Sequence, residues 1–234
     1  MRAPELSPRL RMVGELVPAG ARLADVGTDH AYLPAALLLE GKIPWAVAAD
    51  LRRGPLDRAR ATAREYGLTG NVAFRLCDGL SGICPGEVDA VAIAGMGGET
   101  IAAILSAALW VRERGVPLIL QPMSSFPDLR GWLQANGFSI EEERLAREGD
   151  TLYTALLVRA GEMAPLTPAE LWAGKNNHDP LRGGWLDMWA ARVRRALEGM
   201  AQARGEGVSV RKHELEEVLS GLIDMKEEWE LWQQ

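Results

Sequence analysis

Apolar positions in the first 160 residues follow two periodicities. Short runs such as RLADVG at 22–27 and WAVAAD at 45–50 are apolar almost throughout, as a strand covered on both faces must be. Between them lie stretches whose apolar residues recur every three or four positions, as on a helix with one buried face. The pattern predicts helices over 6–17, 31–40, 55–66, 99–111 and 126–136. It predicts strands over 22–27, 45–50, 72–78, 88–94, 118–121, 139–147 and 152–159. Pro55 sits in a first helical turn, Gly67 and Gly137 follow helix ends, and Gly149-Asp150 suits a hairpin turn. Alternating strands and helices imply βαβ units and a parallel sheet. Five such units and a closing hairpin predict an α/β fold: a Rossmann-like seven-stranded sheet with one antiparallel strand.

The pattern changes after the two prolines of residues 161–168. Beyond Pro165 only helical spacing remains, and five of the eight tryptophans lie there. Leu186, Trp189, Val193, Ala196 and Met200 form one stripe. Leu215, Val218, Leu222, Met225, Trp229 and Trp232 form another. ARGEGVSV separates them, with Gly205 and Gly207 as breakers. Two stripes and a short loop predict an antiparallel α-helical hairpin. The domains expected are therefore 1–161 and 165–234.

The chain carries 26 basic and 32 acidic residues, a formal net charge of −6. A polycation is excluded, so nucleic-acid binding would rest on a local patch. Arg52, Arg53, Arg58, Arg60 and Arg64 form one such cluster, and Arg9 and Arg11 lie on the leading helix. Residues 162–234 hold nine basic and thirteen acidic residues, so the hairpin is no generic phosphate binder. Two cysteines, Cys77 and Cys84, at no metal-ligand spacing, suit plain thiols in a reducing compartment. No apolar run suffices for a membrane span, and the first residues lack the apolar core of a signal peptide.

Ligands of an open parallel sheet bind beyond the carboxyl ends of its strands. Asp25-Val26-Gly27-Thr28-Asp29-His30 follows the first predicted strand. Asp50 ends the second and Asp78-Gly79 the third. Gly95-Met96-Gly97-Gly98 closes the fourth, and Gln121-Pro122 the fifth. A dinucleotide fingerprint fails here, because Asp29 stands where the second glycine should be and would repel a pyrophosphate. A P-loop is absent. Carboxylates instead suit a ligand with cationic groups and no phosphate, and S-adenosylmethionine is such a molecule. Asp50, 25 residues after Asp25, has the offset of an acceptor for ribose hydroxyls. Asp78 could accept from an adenine amino group. Asp29-His30 resembles an acid–base pair, and the glycines at 95, 97 and 98 allow close backbone approach.

These pieces resemble the bacterial tRNA adenine-22 N1-methyltransferases, the TrmK family. The matching segments, in family order, are LSPRL at 6–10, LADVGTDHAYLP at 23–34, GPL at 54–56, DGL at 78–80 and IAGMGGETIAAIL at 93–105. LILQP at 118–122, LRGWLQANGF at 129–138 and LYTALLV at 152–158 complete the set. The chain departs from the family where Met123 stands in place of an asparagine, and in the segment LWAGKNNHDP. The resemblance implies S-adenosylmethionine as methyl donor and tRNA as substrate and partner. Asp29 and Met96 are then the expected catalytic residues. Asp25, Gly27, Asp29, His30, Asp50, Asp78, Gly79 and Gly95 are expected to bind cofactor. Tyr32, Arg52, Arg53, Gly97 and Gln121 are expected at the substrate. No metal, DNA or membrane partner is expected, and the protein is read as a cytoplasmic monomer or weak oligomer. A methyltransferase with another RNA, protein or small-molecule target, and a non-catalytic cofactor-binding interaction protein, are the alternatives.

Overall fold

The structure, a computed structural model, describes residues 3–200 and 205–234. It divides into two compact units. One comprises the chain up to Ser125 together with Trp132–Met163, and the other comprises Phe126–Gly131 and Ala164–Gln234.

The first unit is built on a seven-stranded sheet. Its strands are β1 (Leu23–Val26), β2 (Ala46–Asp50), β3 (Val72–Leu76), β4 (Ala90–Gly97), β5 (Leu118–Ser124), β6 (Phe138–Glu148) and β7 (Thr151–Ala160), in the order β3-β2-β1-β4-β5-β7-β6. The first five are parallel, and β7 runs antiparallel to both β5 and β6. The strand order reverses between β1 and β4, the switch point where open α/β sheets take their ligands. Helices α1 (Pro8–Leu16), α2 (Tyr32–Leu39) and α3 (Arg53–Glu65) alternate with the first strands. β1, β2 and the first four residues of β4 are buried throughout, as the continuous apolar runs require. Met12, Val13 and Leu16 of α1 pack with Leu33 and Leu37 of α2 and with Leu23, Ala92 and Ile119 of the sheet.

The single helix expected over 99–111 is two, α4 (Gly98–Ser106) and α5 (Trp110–Glu113). Ile101, Leu105, Ala108 and Val111 are buried on both sides of the break, so the apolar spacing runs through a turn it does not reveal. Cys77 and Cys84 are free thiols, and among the described residues no helix is long and apolar enough to cross a membrane.

Helix α6 (Phe126–Ala135) begins in the second unit and ends in the first. The rest of the second unit is α7 (Pro168–Ala173), α8 (Arg182–Gly199) and α9 (Glu206–Trp232). Lys226, late in α9, donates to the Gly183 carbonyl, early in α8, so the two long helices are antiparallel, as expected. Three further features were outside the pattern. α7 is too short to show a period, and is announced only by a capping box between Thr167 and Glu170 with Pro168 in its first turn. The first half of α6 adds Phe126, whose ring meets Trp185 and Trp189 edge-on at 5.8 and 5.3 Å. Gly207 lies inside α9 and breaks nothing. Of the expected loop, Ala203 and Arg204 lie outside the described residues.

A methyl group at Gly221 of α9 would stand 2.7 Å from the Ala169 Cβ of α7. Neither atom can rotate away, so Gly221→Ala should destabilise the protein by about 1–3 kcal/mol, read as a fall in Tm. An unchanged Tm would show that α7 shifts without cost.

Candidate functional site

Where β1 ends, the backbone turns back over β2. The Gly27 and Thr28 amides both donate to the Ala49 carbonyl, at 2.8 and 3.0 Å. Gly27 has φ +77°, so its conformation favours glycine, and the flexible tip of Met96 packs where a Cβ would stand. Ala31, before α2, has φ +54°. Two left-handed residues thus bracket Thr28-Asp29-His30, and backbone strain of this kind gathers at functional sites.

Asp25 is buried, and burial raises its carboxyl to about 6, with the nearby Asp50 charge adding to the rise. Asp50 is buried at the end of β2, and its Oδ1 accepts from the Arg52 amide at 2.7 Å. Asp29 is exposed. It pairs with Arg58, whose guanidinium holds the carboxyl below the usual carboxylate range, and its Oδ2 lies 3.5 Å from His30 Nε2. The His30 and Tyr32 rings stack in parallel with centroids 5.0 Å apart.

On the other flank, β4 bulges between Ala94 and Met96, and Gly95 takes φ +77°. Its amide donates to Gln121 Oε1 at 3.1 Å, and the same oxygen accepts from Arg9 Nη1 at 2.8 Å. Gln121 is fully buried, and its Nε2 donates to the Pro122 carbonyl at 2.8 Å.

These loops enclose a cleft of about 440 Å³, within the usual range for a small-molecule site. It brings together Asp25, Gly27, Asp29, His30, Tyr32, Asp50, Arg52, Gly95 and Met96. Asp78 and Gly79 line a different cleft, of about 490 Å³, with Leu80, Thr100, Ile104 and Trp110. Gly97 precedes α4, where a Cβ would come within 3.0 Å of Ser124 Oγ. Arg53 is exposed on the first turn of α3. Gln121 lines neither cleft, being spent on Arg9 and Gly95. Met123 is exposed beyond it on β5.

Sequence reasoning missed Leu10, Ala31 and Leu33 as lining residues, and read Arg9 only as part of a basic patch. Arg9 carried a signal. It stands three and four positions before Met12 and Val13, so it lies on the buried face of α1, where a cation needs a reason. Several arginines read as a basic patch are instead held by acids: Arg11 by Glu40 at 2.7 Å, Arg58 by Asp29, and Arg60 by Asp57 at 2.9 Å.

A methyltransferase-domain family model matches residues 6–156. Over 161 residues, 68% of the chain, it is 40% identical to the tRNA (adenine(22)-N(1))-methyltransferase of Bacillus subtilis; the match spans 66% of that protein, just under two thirds of its length. The crystal structure of the B. subtilis m1A22 tRNA methyltransferase TrmK superposes with a TM-score of 0.83 at 31% identity, over 95% of this chain and 99% of that one. TrmK of M. capricolum, in complex with the cofactor product S-adenosyl-homocysteine, superposes with a TM-score of 0.75 at 26% identity, over 92% and 98% of the two chains.

Proposed function

The chain belongs to the tRNA adenine-22 N1-methyltransferase family, and from that premise we propose that it transfers the methyl group of S-adenosylmethionine to N1 of adenine 22 in tRNA, in the cytoplasm. The observation that carries the reading is the convergence of Asp25, Gly27, Asp50 and Gly95 on one cleft at the carboxyl edge of the sheet. This donor set fits the cofactor. Carboxylates suit a ligand with a sulfonium, an ammonium and ribose hydroxyls, and they repel a phosphate.

In this reading Asp50 accepts from the ribose hydroxyls, and Asp25 faces the cationic amino-acid end. Asp78, beside Gly79 in the neighbouring cleft, accepts from the adenine amino group. Gly27 and Gly95 let the backbone close on the ligand. The cofactor supplies an electrophilic methyl group on a positively charged sulfur. Adenine N1 attacks with its own lone pair, so the protein need remove no proton first. Its task is to hold nucleophile and methyl in line, with the target base turned out of its pairing partner. Met96 and Tyr32, on opposite flanks of the cleft, pack the base. The N6 amino group grows more acidic as N1 is alkylated, and the Asp29 carboxylate accepts its hydrogen bond. Arg52 and Arg53 meet the RNA backbone. Residues 1–161 are the methyltransferase domain in this reading. Residues 165–234 contribute to tRNA binding through selected side chains or shape, given their acidic balance.

Mass spectrometry of nucleosides from tRNA incubated with enzyme and cofactor tests the proposal. It should show 1-methyladenosine, lost when position 22 carries another base. Cofactor binding with no methyl transfer to tRNA would redirect the search to other substrates. Asp50→Ala should weaken S-adenosylhomocysteine binding by about 1.5–3 kcal/mol in calorimetry, the worth of a charge-assisted hydrogen bond. Unchanged affinity would remove Asp50 from the site.

A further inference from the structure

Two groups have a claim on the space above Gly27. The left-handed turn leaves its backbone bare, and the cofactor reading needs that bareness for the ligand. Yet the thioether tip of Met96 lies there. Its methyl packs where a Cβ would stand, and its Sδ is 3.8 Å from the same point. A ligand closing on Gly27 and a methionine closing on Gly27 exclude each other.

Met96 is placed to give way. The pairing of β4 with β5 shifts register on both sides of it, between Ala94 and Met96 and again between Met96 and Gly97. Gly95 before it takes φ +77°, and Gly97 and Gly98 follow it, so its immediate neighbours offer no side chain to prop it. The residue is half-buried. An unbranched side chain with three rotatable bonds changes station at little cost, and its polarizable sulfur packs well on aromatic rings. Such rings share the cleft: Tyr32, stacked on His30, stands 42% exposed there.

We propose that Met96 is a movable stop: it covers Gly27 until the cofactor displaces it, and the displaced tip then completes the site that packs the target adenine against Tyr32. The inference rests on the cofactor reading given above and adds an order to it. The cofactor enters first, because the base site is completed by the residue that the cofactor pushes out. This explains why a methionine, rather than a stiffer apolar residue, stands among three glycines. The coupling is reciprocal: the factor by which cofactor raises tRNA affinity is the factor by which tRNA raises cofactor affinity.

Methyl NMR tests it on wild-type protein labelled at its eight methionines, with Met96→Leu assigning the Met96 signal. Without ligand, that methyl should show a nuclear Overhauser contact to the Gly27 α-protons. Saturating S-adenosylhomocysteine should abolish the contact and move the signal; a contact that survives overturns the proposal. Calorimetry is the independent arm. Met96→Ala uncovers Gly27, so S-adenosylhomocysteine should bind about tenfold tighter, the gain if roughly nine wild-type molecules in ten are covered. S-adenosylhomocysteine should raise the tRNA affinity of the wild type by about fivefold or more, and Met96→Ala should lose that enhancement. Thermal unfolding checks the variant's fold. Weaker or unchanged S-adenosylhomocysteine binding by a folded Met96→Ala would make Met96 a ligand contact or a bystander, and overturn the proposal. A wild type that does not bind S-adenosylhomocysteine would instead bring down the cofactor reading itself.

Discussion

Between pH 4 and pH 6 the ligand-free wild type should lose about 3 kcal/mol of unfolding free energy that an Asp25→Asn variant keeps. The Asp25 carboxyl is raised from 3.8 to about 6, first by burial and then by the Asp50 charge. The folded state therefore holds a proton that the unfolded chain has released across this window. Stability from this group is complete below pH 4, falls as pH rises, and is lost above pH 6. Other carboxylates act in the opposite sense. Asp89, beside Arg22, is held at about 2 and favours folding as pH rises from acid. The difference between variant and wild type isolates the Asp25 contribution from these. Parallel stability curves for the two proteins would show that Asp25 is not protonated in the fold. The same group links pH to ligand binding. A cationic ligand in the cleft favours the ionised carboxylate, so binding near pH 5.5 should release a proton. Affinity should climb toward pH 7, by up to tenfold per unit below pH 6. Titrations in buffers of different ionisation enthalpy would reveal the released proton, and Asp25→Asn should abolish it.

Much of the candidate site was legible in the sequence. Strand-end residues are dictated by topology. Once short apolar runs alternate with helices, the acids and glycines that follow them must gather on one edge, and Asp25, Gly27, Asp50 and Gly95 do. Their grouping into clefts was not legible. Asp78 follows β3, the edge strand on this side of the sheet, and α4 brings Thr100 and Ile104 against it to make a cleft of its own. Gln121, which ends a predicted strand, was expected at the substrate. Its neighbour β4 bulges at Gly95 and frees an amide from the ladder, which the Gln121 side chain accepts. A bulge leaves no period in the sequence, so the partner's task could not be read.

The helical unit failed in a different way. Two long stripes were visible because their periods repeat; Leu186, Trp189 and Val193 of one and Leu215, Val218 and Leu222 of the other are all buried. The buried tryptophans Trp185 and Trp189 draw on Phe126, separated from them by a whole hairpin of the other unit. Periodicity reports neighbours along the chain and is blind to such a long return. One consequence is practical. A truncation near residue 161 would take from Phe126 and Arg130, both buried, their partners Trp185, Trp189 and the Leu171 and Trp172 carbonyls, so point substitutions are the sounder way to divide cofactor from tRNA functions.

One such substitution, Asp29→Ala, should cut the single-turnover rate of methyl transfer about a hundredfold, the cost of removing one acceptor or donor aimed at developing charge. Asp29 follows the left-handed turn at Gly27, and is aimed by two neighbours, Arg58 through an ion pair and His30 at 3.5 Å. Arg58 keeps the carboxyl ionised well into acid solution, so the group enters the reaction as an acceptor with no proton to lose. The charge it answers grows only as N1 takes the methyl group, so the loss should fall mainly on the rate. S-adenosylhomocysteine affinity should change far less, because Asp25 and Asp50 remain. Arg58→Ala should have a smaller effect of the same kind, since it loosens the carboxylate without removing it. A variant lacking Asp29 that turns over near the normal rate, with cofactor and tRNA both saturating, would leave this residue only its ion pair and would pass the N6 contact to another acceptor, such as the backbone carbonyls of residues 94–96 at the opposite flank of the cleft.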